Sequence, residues 1–303
     1  MTSTQPAAAA PRPALRRRLG VLIELTKVRI TVFVTLSVAT GYVLFARQID
    51  SGILLPMLGV FVLSCGSAAL NQVQESQLDA RMRRTKGRPI PSGRIGRDWA
   101  LFIAVGLIGF GLYILSSIER HTLSILALGL LAVIWYNGVY TLLKRRTAFA
   151  VVPGSVIGAI PPVIGWCAAG GVVTDPKILE IAFFFFLWQI PHFWLLILMI
   201  GPEYEAAGLP TPVRHFRPEQ LRRITFTWML ALAATGMALA LRLGYRVPWN
   251  LMVLVASVWL VFSSVPILRG KESKKLFLGA FLRINLYAGV LMLVLTLHAL
   301  LVR

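Results

Sequence analysis

The chain has 303 residues, 57% of them hydrophobic and only 14% charged, with a mean hydropathy of +0.74. Soluble domains carry about 25% charged residues, so this composition excludes an ordinary water-soluble fold. The formal net charge of +19 does not indicate nucleic acid, because the cations fall loop by loop between apolar runs rather than along one surface.

Residues 1–18, MTSTQPAAAAPRPALRRR, are Ala/Pro-rich and end in a basic cluster. No apolar signal-peptide core follows directly, so this segment is expected to be a disordered cytoplasmic tail. Apolar runs of the ~20 residues needed to cross hydrocarbon then predict helices near 28–46, 53–74, 98–117, 122–141, 148–168, 178–200, 223–242, 248–268 and 276–301. They are too long and too unalternating for barrel strands. The expected fold is therefore an all-α integral membrane protein of about nine transmembrane helices, with residues 19–303 as one polytopic domain. Cys65 and Cys167 both lie inside apolar runs, which suits buried structural thiols and neither a disulfide framework nor a metal site.

Charge fixes the expected orientation. One set of connections holds Arg12, Arg16, Arg17, Arg18, Lys27 and Arg29, then Arg81, Arg83, Arg84, Lys86, Arg88, Arg94 and Arg97. The same side continues with Lys144, Arg145 and Arg146, with Arg214, Arg217, Arg222 and Arg223, and with Arg269, Lys271, Lys274 and Lys275. The opposite side has only Arg47, Arg120, Lys177, Arg242, Arg246 and Arg303. By the positive-inside rule the N-terminus is expected in the cytoplasm and the C-terminus outside.

Two long cytoplasmic connections, about 75–97 and 201–222, leave room for a polar site. Of only twelve acids, four (Glu75, Asp79, Glu203 and Glu205) stand where these connections begin. Carboxylates beside hydrocarbon are costly and mark function. Asn71, Glu75 and Asp79 are spaced four and four, so they share one helix face. Oxygen ligands in that array suit Mg²⁺, which takes one or two carboxylates together with substrate phosphates. The dense cations Arg81, Arg83, Arg84, Lys86 and Arg88 follow at once and suit the remaining phosphate charge. A solvated loop whose acids simply pair with arginines fits the same spacing.

The first loop resembles the signature of the UbiA superfamily of intramembrane prenyltransferases, in which acids follow an asparagine at four and eight residues. Met82 to Pro89, MRRTKGRP, resembles the haem O synthase branch of that superfamily. LTKVRI (Leu25 to Ile30), GAIPPVIGW (Gly158 to Trp166), WQIPHFW (Trp188 to Trp194) and EYEAAGLP (Glu203 to Pro210) resemble further segments of the branch, in the same order. Glu75 and Glu203 stand where the family usually has Asp, and Gln77 stands where this branch usually has an acid. The spacing from Tyr140 to Lys144 is nearer the quinone-type members.

The resemblance implies a UbiA-type bundle in a bacterial inner membrane, with its site facing the cytoplasm. It implies Mg²⁺ held by Asn71, Glu75, Asp79 and Glu203 as catalytic ligands, and a diphosphate held by Arg81, Arg84, Lys86, Arg88, Tyr140, Lys144 and Arg145. The implied substrates are farnesyl diphosphate and haem b, giving haem O for terminal oxidases, with other haem-biogenesis proteins as partners. His192, next to Pro191 in an apolar run, suits a haem ligand or a hydrogen bond to backbone freed by the proline. Phe183 to Phe186, Trp188, Phe193 and Trp194 suit either an isoprenoid channel or lipid-facing aromatics. An aromatic quinone precursor as acceptor, and a non-catalytic carrier with an altered acid cluster, both remain open on sequence.

Overall fold

The computed structural model describes residues 14–269 and 273–302. Most of the expected tail (residues 1–13), Lys271 and Arg303 lie outside these described residues. Among the described residues nine helices are long and apolar enough to cross a membrane. They are α2 (Val28–Ala46), α3 (Leu54–Arg81), α4 (Arg97–Ser116), α5 (Thr122–Leu143), α6 (Val151–Ala168), α7 (Pro176–Ala206), α8 (Pro218–Arg242), α9 (Trp249–Arg269) and α10 (Lys274–Leu301).

A tenth helix, α1 (Ala14–Leu25), precedes them. It begins inside the segment expected to be tail, so residues 14–18 are helical. Gln72 Nε2 of α3 donates to the Glu24 and Leu25 carbonyls at 2.9 Å each, and Arg94 pairs with Glu24 at 2.7 Å. These contacts satisfy the last carbonyls of α1, which no further turn of helix could accept from.

Each spanning helix packs on the next in sequence, and α10 returns to α2, so the nine close into a ring. The contact between α2 and α6 crosses the ring and depends on small residues. A Cβ on Gly41 would land on the Pro162 carbonyl oxygen, and one on Gly165 on the Val38 carbonyl oxygen. The α3–α4 contact is built the same way, because a Cβ on Gly111 would come within 2.7 Å of the Leu63 nitrogen. In lipid, where apolar side chains gain little by leaving the solvent, such close backbone approach is what holds helices together.

Two boundaries differ from expectation in a way that shapes the site. The loops expected from about 75 and 201 begin instead after Arg81 and Ala206, because α3 and α7 continue for one to two turns past their apolar runs. The polar ends Asn71–Arg81 and Gly201–Ala206 are thus rigid helix. In α5, residues Ile134–Tyr140 form a π-helical turn. Such wide turns recur at functional sites, and this one carries Tyr136 and Tyr140.

Candidate active site

At the end of the bundle where α3 and α7 stop, a cavity of about 290 Å³ opens. Its mouth is polar, lined by Lys27, Asn71, Glu75, Asp79, Arg84, Arg88 and Lys144. The rest of its lining is aromatic and aliphatic, with Tyr136 and Tyr140 from α5, and Phe193, Leu196, Ile197, Ile200 and Tyr204 from α7.

The three residues of the α3 face sit together as their four-residue spacing requires. Asn71, Glu75 and Asp79 are buried, with 3%, 4% and 1% of their surface exposed. The charges of Glu75 and Asp79 so far from water need compensation, and a cation stands against each of the three side chains. Lys27 Nζ donates to Asn71 Oδ1 at 3.3 Å, Lys144 pairs with Glu75, and Arg88 Nη1 donates to Asp79 Oδ2 at 2.7 Å. Asn71 Nδ2 donates to Thr141 Oγ1 at 3.1 Å, which leaves the amide oxygen turned to the cavity side.

The MRRTKGRP loop gets its shape from two buried anchors. Met82 is buried where the helix ends, and Thr85 Oγ1 donates back to the Asp79 carbonyl at 2.9 Å. The turn this creates brings Arg84 and Arg88 to the mouth, while Arg81, Arg83 and Lys86 remain exposed outside the cavity lining. Arg145 also lies outside; its Nη2 donates to the Gln74 carbonyl at 2.8 Å. Lys144 lines the mouth, with its ammonium 5.7 Å from the centre of the Tyr140 ring.

Glu203 is not brought in with the α3 face. Its Oε2 accepts the Arg84 backbone N–H at 3.3 Å, tying the end of α7 to the first loop, and it does not line the cavity. The two loop regions do meet, but through this bond rather than through four converging ligands. Among the described residues no three His, Cys, Asp or Glu side chains gather to hold a metal. The donor set of one amide and two carboxylates still fits a hard divalent ion that completes its shell with substrate oxygens. Asp79 Oδ1, buried and without a hydrogen-bond partner, fits the same requirement.

His192 stands behind the cavity wall. Its ring lies among Trp188, Phe281 and Phe193, at centroid distances of 4.9, 4.6 and 5.4 Å. Its partner is neither the proline-freed backbone nor the cavity. Nδ1 lies 2.9 Å from Asn285 Oδ1, and Asn285 Nδ2 donates to the Phe281 carbonyl at 2.6 Å. Since the amide oxygen can only accept, His192 carries its proton on Nδ1 and keeps a lone pair on Nε2. Of the aromatic cluster that suits either a channel or lipid-facing positions, Phe193 lines the cavity, Phe184 and Phe185 belong to the core and Phe183 is exposed.

Lys27, Tyr136 and Tyr204 are among the cavity residues not expected at the site from sequence. Tyr136 lies in no segment singled out from the sequence, whereas Tyr204 lies in EYEAAGLP and Lys27 in LTKVRI. Lys27 stands at the break between α1 and α2. Its φ of 51° is left-handed, a conformation costing roughly 1–2 kcal/mol in a residue with a Cβ. Burial, with help from the Arg88 and Lys144 cations and against Glu75 and Asp79, brings its ammonium down to a pKa of about 8.

Comparison with known proteins agrees with this fold. Residues 30–286 match the model of the UbiA prenyltransferase family. A protoheme IX farnesyltransferase of Nitratidesulfovibrio vulgaris (strain DP4) is 37% identical over 245 residues, covering 80% of this chain and 85% of that protein. One from Geobacter sulfurreducens is 37% identical over 267 residues, covering 86% and 94%. Among solved structures, a digeranylgeranylglyceryl phosphate synthase superposes with a TM-score of 0.74 at 13% identity, over 93% of this chain and 99% of that one. A UbiA homologue from Archaeoglobus fulgidus bound to GPP and Mg²⁺ gives 0.66 at 15% identity, over 91% and 99%. At such identities these two structures speak for the fold alone.

Proposed function

The chain belongs to the UbiA prenyltransferase family, and from that membership we propose that it transfers the farnesyl group of farnesyl diphosphate to a vinyl group of haem b, giving haem O. One observation carries the reading: a single cavity brings buried oxygens and cations together with aromatic and aliphatic side chains. A prenyl diphosphate has those two halves. The relatives named protoheme IX farnesyltransferase support haem as the acceptor.

In this reading Asn71, Glu75 and Asp79 hold Mg²⁺, which when bound neutralises the diphosphate and favours departure of the leaving group. Arg84, Arg88 and Lys144 hold the diphosphate oxygens. Their charges are fixed before reaction, so they stabilise the leaving group as it gains charge with little reorganisation. Glu203 fastens the loop that carries Arg84. The allylic C–O bond breaks with its electron pair leaving on diphosphate. The vinyl group then attacks the allylic carbon, and water adds to the resulting cation with loss of a proton. Tyr136, Tyr140 and Phe193 line the same cavity and would steady the allylic cation by cation–π contact, and the apolar lining would keep water from reaching it early. In this reading the mouth faces the cytoplasm across an inner membrane, and the excess of basic residues on that side of the bundle supports the orientation.

The test is to incubate purified protein and Mg²⁺ with farnesyl diphosphate and either haem b or 4-hydroxybenzoate. A haem product of raised mass is expected, and none from the benzoate. A prenylated benzoate with no altered haem would overturn the acceptor. His192 lies outside the cavity that would hold the diphosphate, and a haem contact is proposed there through the Nε2 lone pair, so His192→Leu is expected to weaken haem b binding, followed in the Soret band, while leaving diphosphate affinity unchanged. Equal haem affinity in the variant would remove that assignment.

A further inference from the structure

Each residue assigned to the metal already has a cation of the protein against one of its oxygens, although Asp79 Oδ1 has no hydrogen-bond partner. Lys27 is on Asn71, Lys144 on Glu75, and Arg88 on Asp79. The three cations come from three separate elements: the break before α2, the turn after α5 and the loop after α3. All three also line the cavity that receives the diphosphate. They cannot serve the carboxylates and the phosphate oxygens fully at the same time.

We infer that metal and diphosphate bind this chain by exchange: the metal displaces Lys27, Lys144 and Arg88 from Asn71, Glu75 and Asp79, the freed cations turn to the diphosphate, and neither ligand binds tightly alone. This rests on the prenyltransferase reading of the site. Charge counting over the three pairs gives the reason. Alone, the pairs are singly positive. A divalent metal by itself would make the cluster triply positive, with three cations stripped of their partners. A trivalent diphosphate ester by itself would make it doubly negative, with Glu75 and Asp79 left bare in a buried site. Arriving together, the two ligands bring the cluster to neutrality and leave every charged group paired. Buried charge left unpaired is heavily penalised, whereas pairing it restores much of the loss. The two bindings therefore reinforce one another, and by linkage each must tighten the other by the same factor.

Mn²⁺ and farnesyl S-thiolodiphosphate, whose bridging sulfur slows ionisation, serve as probes. Metal binding is read as loss of the free Mn²⁺ EPR signal, against a protein-free blank with the same analogue, and analogue binding by equilibrium dialysis with and without Mn²⁺. Each probe is expected to bind at least about tenfold more tightly in the presence of the other. Lys27→Met, which removes one internal cation and frees Asn71 Oδ1, is expected to tighten Mn²⁺ alone, weaken the analogue, and shrink the coupling. Opposite signs for the two ligands are what a merely damaged fold would not give, since damage weakens both. If both probes bind the native chain independently, or Lys27→Met weakens both, the exchange is overturned and the prenyltransferase reading stands. If neither probe binds under any condition, that reading fails and the exchange fails with it.

Discussion

Replacing Glu75 with Gln is expected to lower the rate of prenyl transfer by about 10²–10³-fold, the loss typical of removing one preorganised electrostatic contact to a reacting group. The substitution keeps size and shape, so the cavity remains. It removes one of two carboxylates facing the metal, and it leaves Lys144 without its counter-charge at the mouth. Both effects weaken what holds the leaving group. Glu75→Asp is the informative companion, because it restores the charge and shortens the side chain by one methylene, and most of the rate is expected to return. Glu203→Gln is expected to lose far less. Its carboxylate accepts a backbone N–H of the first loop and stands outside the cavity, and an amide oxygen can accept the same bond. Single-turnover product formation, with thermal unfolding as a control for the fold, measures all three. A Glu75→Gln enzyme within severalfold of the native rate would deny Glu75 its place at the metal.

The residues differ in how much the sequence revealed of them, and the reason is physical in each case. The nine spans are legible because hydrocarbon thickness fixes their length and forbids unpaired backbone. Asn71, Glu75 and Asp79 are legible as one face because helical periodicity does not depend on what surrounds it. The ends of α3 and α7 are not, because an apolar run marks where lipid stops and not where helical hydrogen bonding stops. Glu75 and Asp79 therefore read as the start of a loop, although they stand on rigid helix. Lys27 lies in a segment that matches by resemblance, yet only the folded chain shows its ammonium reaching Asn71 from 44 residues away. The π-helical turn at Ile134–Tyr140 has no composition of its own. Glu203 misleads for a related reason. An acid at a helix end next to a basic loop suits a metal ligand and a backbone anchor equally, and only the position of the Arg84 N–H separates the two.

The segment GAIPPVIGW contributes nothing to the cavity, and its importance lies in packing. Gly165→Ala is expected to destabilise the protein by about 1–3 kcal/mol or more, as overpacking of a tight interior does. The added methyl would meet the Val38 carbonyl oxygen, a backbone atom that no rotamer change can move. Helices α2 and α6 must then separate along their crossing. Lys27 immediately precedes α2, so displacement there also loosens the Lys27–Asn71 contact, and loss of activity is expected along with loss of stability. Gly41→Ala acts at the same crossing from the other side, against the Pro162 carbonyl. Once one methyl has forced the helices apart the second finds room, so the double variant is expected to lose less than the two single losses added together. Gly109→Ala on α4 supplies the contrast, because a Cβ there meets nothing within 4 Å, and alanine's better helix propensity makes it neutral or slightly stabilising. Unfolding of the four proteins in one detergent, followed by circular dichroism, checks the series, and a Gly165→Ala protein as stable as Gly109→Ala would contradict the close approach of α2 and α6.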